Sequence, residues 1–403
     1  MFIHELCSPW LHTPFWKTSF MLDDQATLNR ITHAHITEAW IDIARGLDVV
    51  PDDEPGDLAH AAHAAQQQPD PIQSLAAPGA IAQVSMAEEL GRAALIVDKS
   101  KQAVAAMFHE ARMGMAIEGE RALALVEDIA ASVMRNPGAL ISLVRLKTID
   151  DYTYMHSVAV CALMIALARQ LKLDADATRQ AGLAGLLHDI GKMTIPVAIL
   201  NKPGKLTEAE FAIVKLHPGD GHQMLLLANG VGPIALDVCL HHHEKMDGSG
   251  YPGRLQAEDI SLYARMGAVC DVYDAITSNR PYKQAWCPAD SLHQMALWSK
   301  GHFDEAVFQA FVRSIGIYPI GTLVRLASGK LGVVLEQQAG KSLLMPKVKV
   351  FFSTKTLAQI PPEVVDLAAP GPQDSIVSRE DAATWHLTNI EQHWLGDAAE
   401  AAA

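Results

Sequence analysis

Ala181-Gly-Leu-Ala-Gly-Leu-Leu-His-Asp-Ile-Gly-Lys192 sets an unbroken apolar run directly against a neighbouring imidazole and carboxylate. The run from Ala181 to Leu187 reads as a buried helix with a polar payload at its C-terminal end. Burying His188 beside Asp189 is costly unless a metal, a proton or a hydrogen bond compensates them. Adjacent helical residues project about 100° apart, so both reach one ion only if it sits at the helix edge. Taken alone, the pair reads equally well as a surface His-Asp at a helix end. Its neighbours have to arbitrate.

Outward from this stretch, almost every segment between Ala139 and about Ile317 reads as helix. Breaks fall at Lys202-Pro-Gly, at Asn229-Gly-Val-Gly-Pro and at Asp247-Gly-Ser-Gly. Within these helices the polar residues recur at the ends or on the faces of apolar runs. His156 interrupts Tyr152-Thr-Tyr-Met-His-Ser-Val-Ala-Val-Cys161. His217 precedes Pro218, His242 and His243 precede Glu244, and Asp271 stands in Cys270-Asp-Val-Tyr-Asp-Ala275. Each alone is more often a capped or hydrogen-bonded core group than a ligand. Five imidazoles and two carboxylates within 116 residues are hard to explain by packing. Neutral imidazole with carboxylate suits Fe, Mn or Zn, and two ions can share a bridging carboxylate.

The flanks differ in character. Residues 1–50 mix short apolar stretches with Phe2, Trp10, Phe15, Trp16 and Phe20. A strand is expected within Phe15 to Leu22, and a strand or helix between Thr27 and Trp40. Residues 51–80 are rich in breakers and poor in large apolar side chains, which reads as a linker or mobile loop. His60 and His63 lie inside it, at a spacing that a solvated low-complexity segment explains better than a metal does. Connecting helices are expected over 81–138, with Asp98 as an N-cap and a buried stripe at Ala122, Val126, Ile129 and Val133. Asn136-Pro-Gly then stops the run. These helices join the N-terminal module to the main helical region or pack a subunit interface, which leaves room for a homodimer, but core packing within the chain is the expectation. The catalytic unit is expected over 139–318. Alternation at Thr322, Val324 and Leu326, and again over Lys347 to Phe352, predicts a small antiparallel β unit over 319–362. The tail, 363–403, is expected to be partly disordered. The fold class is therefore mainly α, with a small N-terminal α+β module and a small C-terminal β unit.

A net charge of −14 gives no basis for binding a nucleic-acid polymer, which needs basic patches, but does not exclude a small anionic ligand. The five cysteines form no CxxC pair, which suggests reduced thiols and a cytoplasmic protein. The most apolar run, Val158 to Ala168, is about half of what a bilayer span requires. No secretory signal or membrane span is expected.

Four words carry a resemblance: His188-Asp-Ile-Gly-Lys192, Leu216-His-Pro-Gly219, His242-His-Glu-Lys-Met-Asp-Gly-Ser-Gly-Tyr-Pro252, and Asp271-Val-Tyr-Asp-Ala-Ile-Thr-Ser-Asn-Arg-Pro-Tyr282. In this order and spacing, residues of roughly 139 to 317 closely resemble the HD-GYP family of HD metal-dependent phosphohydrolases. The opening Met1-Phe-Ile-His-Glu-Leu and Pro14-Phe-Trp-Lys-Thr-Ser-Phe20 resemble, more weakly, an accessory module of unknown role often found ahead of it, which would offer a surface for a protein partner.

The resemblance implies an all-helical HD-type catalytic domain that hydrolyses cyclic di-GMP through a dinuclear metal-activated hydroxide. It places His156, His188, Asp189 and Asp271 on one metal and His217, His242 and His243 on the other, with Asp189 bridging. His241, an extra histidine, stays outside. Lys192 would sit beside the scissile phosphate, and Tyr251, Arg280 and Lys283 would hold guanine or phosphates. Lys192 and Arg280 would stabilise growing transition-state charge. Asp274 would orient a side chain, relay a proton or cap a helix. Gly248, Gly250 and Pro252 shape a loop read as a lid or substrate wall. The cofactors implied are two divalent ions, Fe or Mn ahead of Zn.

Two departures stand out. Tyr152 occupies a position where some members carry a third-metal Glu, which favours two ions and pGpG as released product, with GMP the alternative. Ala159 replaces a common Asn, a loss that would loosen a ligand's orientation. A second class of reading is a catalytically weak cyclic di-GMP-binding signalling module. A third, an HD phosphohydrolase acting on another nucleotide, fits the Gly-Tyr-Pro word least.

Overall fold

The computed structural model describes residues 2–6, 20–22, 39–41, 82–146, 152–278, 285–338, 340–370 and 374–395. The chain divides into two compact units, Met1–Ile81 and Ala82–Ala403. In the first, strands β1 (Phe2–Leu6), β2 (Phe20–Met21) and β3 (Ala39–Ile41) form an antiparallel sheet of order β2-β1-β3. Of the strand expected within Phe15 to Leu22, Phe20–Met21 is strand; of Thr27 to Trp40, Ala39 and Trp40 are strand and the rest lies outside the described residues. The expected linker at 51–80, with His60 and His63, lies outside the described residues.

The second unit opens on α1 (Met86–Arg112). Ser85 is its N-cap, in a reciprocal capping box with Glu88. The expected cap at Asp98 is not one. It lies inside α1 and accepts a hydrogen bond from Gln102 one turn on, as a helix-surface carboxylate does. Helix α2 (Gly119–Arg135) buries the predicted stripe of Ala122, Val126, Ile129 and Val133. Asn136 ends α2 and caps α3 (Pro137–Val144), where Pro137 fills a first-turn position that needs no N–H.

Helix α4 (Tyr152–Gln170) is the axis of the unit. Every residue from Val158 to Ala168 is buried, the mark of a helix walled on all sides. Its walls are α1, α2, α3, α5 (Ala175–Leu187), α10 (Leu262–Thr277) and α12 (Glu305–Ile315). The most apolar run of the sequence is thus a core axis. Among the described residues no helix is long and apolar enough to cross a membrane. Asp174 caps α5, whose buried face is the Ala181–Leu187 run itself. A short 3₁₀ turn, Ile190–Thr194, follows. Then come α6 (Val197–Leu200), α7 (Glu208–Val214), α8 (His217–Leu226), α9 (Pro233–His241), α10 and α11 (Pro288–His302).

A five-stranded antiparallel sheet follows α12, in the order β7-β6-β5-β4-β8. Its strands are β4 (Leu323–Leu326), β5 (Lys330–Glu336), β6 (Lys347–Ser353), β7 (Ala358–Asp366) and β8 (Ile376–Arg379). The sheet reaches beyond the expected 319–362. Ile376 of β8 packs into the core of Val324, Leu326, Val334, Val348 and Val350, while Arg379 donates to the Ala289 carbonyl. Part of the expected tail is also folded: α13 (Gln392–Leu395) buries Trp394 and Leu395. Single buried side chains like these leave no periodic signal.

Candidate metal centre

The apolar run delivers His188 and Asp189 to the end of α5 against α4. The close packing is possible because a Cβ on Gly185 would meet the Val160 carbonyl at 2.9 Å and Cys161 Cα at 3.0 Å. Across the 3₁₀ turn, a Cβ on Gly191 would fall onto the His217 carbonyl oxygen and 2.5 Å from Gly221 N. Only glycine allows the start of α8 to approach so closely.

Helix ends aim the imidazoles. His188 ends α5 with Nδ1 2.8 Å from the Gly185 carbonyl oxygen. His217 starts α8 with Nδ1 2.7 Å from the Val214 oxygen. His242 ends α9 with Nδ1 3.0 Å from Val238 O and 3.1 Å from Cys239 O. A carbonyl only accepts, so each Nδ1 carries the proton and each Nε2 turns a lone pair inward. His156, in the second turn of α4, has Nδ1 2.7 Å from Asp274 Oδ2 on α10, and its Nε2 points the same way.

These Nε2 atoms converge on Asp189. Its Oδ2 lies 3.3 Å from His156 and 3.4 Å from His188. Its Oδ1 lies 3.3 Å from His217 and 3.7 Å from His242. Asp271 faces the centre with Oδ1 3.1 Å from His156 Nε2 and Oδ2 3.8 Å from His243 Nδ1. The donor atoms of His156, His188 and Asp271 lie within 4.8 Å of one another, as do those of His217, His242 and His243. All seven sequence-selected histidines and aspartates therefore meet in one cluster.

His188 Nε2 and Asp189 Oδ1 are buried without a hydrogen-bond partner. Orphaned acceptors of this kind are costly, and they are the donor set that a divalent cation satisfies. Burial opposes the charges of Asp189 and Asp271. Even so, the Lys192 ammonium and His188 hold the Asp189 carboxyl well below its ordinary range, and His156 does so for Asp271. Burial and neighbouring imidazoles hold His242 far below the usual imidazole range, and burial above all brings His243 down to about 3. Burial also pulls His156 down, but Asp189, Asp271 and Asp274 outweigh it and push its pKa up to about 10. Ionised carboxylates and neutral His242 and His243 are the forms that bind metal, while His156 holds a proton that a cation has to displace. The residues fit a metal centre.

Around the cluster, Lys192 pairs with Asp189 Oδ2 and keeps its side chain 22% exposed, at the mouth of the site. The Tyr251 ring stacks on His243 at 4.7 Å between centroids. Glu244 was not singled out in sequence, although it follows the two histidines directly. It is buried, and its carboxylate accepts from the Gly253 N–H at 2.5 Å and the Leu255 N–H at 3.1 Å, tying down the loop that carries Tyr251. Lys215 was also missed; its Nζ lies 5.8 Å from the Tyr251 ring centre. Asp274 resolves as the holder of His156, which keeps that ligand oriented although residue 159 is alanine. His241 turns away to Asp237 at 2.8 Å, outside the cluster as expected. Arg280, Lys283 and the side chain of Tyr152 lie outside the described residues, and so does the third-metal question.

A helical bundle with this histidine-aspartate centre defines an HD-domain phosphohydrolase. The HD domain family matches residues 125–307, and a domain of unknown function, DUF3391, matches residues 1–122. Over 397 residues the chain is 55% identical to a cyclic di-GMP phosphodiesterase of Pseudomonas aeruginosa, covering 98% of this chain and 93% of that protein. The chain belongs to the HD-GYP family. A cyclic di-GMP phosphodiesterase response regulator of Xanthomonas campestris is 42% identical over 148 residues, 36% of this chain and 39% of its own length. A 3'3'-cGAMP-specific phosphodiesterase of Vibrio cholerae is 37% identical over 166 residues, 41% of this chain and 38% of its own.

Proposed function

We propose that the protein is a cyclic di-GMP phosphodiesterase, a metal-dependent hydrolase that opens a 3'-5' phosphodiester. The observation that carries this reading is Asp189, whose two oxygens face different histidine pairs in a chain so similar, end to end, to a cyclic di-GMP phosphodiesterase. His156, His188 and Asp271 would hold one divalent ion and His217, His242 and His243 the other, with Asp189 shared between them. Fe and Mn are favoured over Zn. Such a pair supplies Lewis acidity and a nucleophile usable near neutral pH.

The chain's own groups do the rest. Lys192, ion-paired to Asp189 yet reaching solvent, places its positive charge beside the scissile phosphate as negative charge grows there. Tyr251, flat against His243, extends an aromatic surface on which guanine stacks. Arg280 and Lys283 are assigned to the substrate phosphates from the sequence alone. Asp274 and Glu244 touch no substrate; they fix His156 and the Tyr251 loop. The favoured product is pGpG, with GMP the alternative. Free, buried Cys161, Cys239 and Cys270 fit a cytoplasmic enzyme.

The test is anaerobic purification, metal analysis, and parallel assays on cyclic di-GMP and 3'3'-cGAMP that separate pGpG from GMP. About two ions per chain and hydrolysis of cyclic di-GMP, lost in His188→Ala and Asp189→Ala, are expected. A fully metal-loaded protein that leaves cyclic di-GMP intact overturns the assignment.

A further inference from the structure

A cavity of about 650 Å³ opens between the helices and the β unit, away from the histidine cluster. Its walls come from the end of α2, α3, the end of α4, the end of α12 and the β5–β6 connection. It falls within the range of roughly 300–1,000 Å³ typical of small-molecule sites.

Its charge runs against that of the chain. The protein carries −14 overall, yet this cavity is lined by Arg135, Arg145, Arg169, Arg313, Lys341 and Lys347, with Glu336 as the carboxylate. Two of these cations are already neutralised. Arg135 forms a two-pronged pair with buried Glu89 at 2.7 Å, and Lys347 meets Glu336 at 3.0 Å. The other four make no ion pair with a carboxylate among the described residues. Arg145 donates to the Ile320 carbonyl and Arg169 to the Val133 carbonyl, both at 3.0 Å, and both side chains are partly buried. Arg313 and Lys341 stand exposed at the rim.

Unneutralised cations in a low-dielectric cleft focus a positive potential. Guanidinium groups match phosphate oxygens two at a time. Ile141, Pro319, Ile320 and Leu343 add an apolar surface beside them. We propose that this cavity is a second ligand site, which binds a nucleotide-sized organic anion through its phosphate. The site is independent of the hydrolytic centre. It would tie the sheet to α3, α4 and α12.

The test titrates the full-length, metal-loaded protein with GMP, with guanosine and with inorganic phosphate by calorimetry, beside Arg313→Glu/Lys341→Glu. Both substitutions lie at the exposed rim, and an unchanged melting temperature verifies the fold. Arg313→Gln/Lys341→Gln provides a milder pair if charge reversal disturbs it. The wild type is expected to bind one GMP more per chain than the reversed variant, or to bind that equivalent about tenfold or more tightly. Inorganic phosphate should bind the same site more weakly and guanosine not at all. Cyclic di-GMP hydrolysis without added GMP should be equal in the two proteins, which separates this site from the catalytic assignment. Identical GMP stoichiometry and affinity in wild type and variants, including no binding in either, overturns the proposal. Guanosine binding that the wild type shows and the reversed variant loses, as it loses GMP, overturns it too.

Discussion

Asp274 Oδ2 and His156 Nδ1 lie 2.7 Å apart, joining α10 to the axial helix α4 beneath the metal centre. The contact fixes the ring so that Nε2 faces Asp189 and Asp271. Outer partners of this kind typically contribute about 10–100-fold to metal affinity or activity. Asp274→Ala is therefore expected to lose about that factor in metal retention during chelator challenge, whereas Asp274→Asn, which keeps an acceptor, loses less. Equal retention by all three proteins would refute the role.

Glu244 serves the loop rather than the metals. Replacing it by alanine takes the acceptor from the partly buried N–H groups of Gly253 and Leu255, at a cost of about 1 kcal/mol each because water reaches the loop. The expected outcome is a raised KM for cyclic di-GMP with metal content unchanged. A variant that loses metal but keeps its KM would place Glu244 in the wrong role.

Gly191 tests the approach of the 3₁₀ turn to α8. A methyl group there collides with the His217 carbonyl and Gly221, so backbone has to move. Overpacking typically costs about 1–3 kcal/mol. Gly191→Ala should lower the melting temperature and the metal content together. Gly219→Ala is the control, because a Cβ there meets nothing within 4 Å. Similar behaviour of the two variants would argue against the steric account.

His302 gives a pH signature. Burial, with Lys245 nearby, brings its pKa down from 6.5 to about 4, and its ring stacks on Phe303. The folded value lies below the unfolded one, so its contribution to stability is full above about pH 6.5 and is lost as pH falls towards about 4. Thermal melts across that window should show a shallower acid-side decline for His302→Gln than for wild type. Parallel curves would exclude His302 as a source of the decline.

The sequence exposed most of the cluster because the ligands stand at the ends or on the faces of largely apolar helices, where a polar group is conspicuous. Ala181–Leu187 foretold a buried helix, and it is one. Asp98 misled because an acid ahead of a basic residue resembles a cap, while the true cap, Ser85 with Glu88, lies several turns upstream. Glu244 was hidden by its neighbours: its partners are backbone N–H groups in the loop that comes after it, and chain spacing does not reveal hydrogen bonds. The pairing of β8 with β4 was invisible for a similar reason, since four residues of strand carry little periodicity. The basic cavity drew on residues from helix ends and a sheet loop that only folding brings together.

Gly185 has a consequence for how such a centre can vary. At Gly185, one turn before His188, the helix that carries His156 and the one that ends in His188 rest main chain on main chain, with no side chain at that point to shorten or repack. Along that direction the centre has no adjustable part. Differences in substrate preference among relatives that share this packing would then have to be written in the rim, in groups such as Lys215 and Tyr251, while the distance across the metal-holding core stays constant.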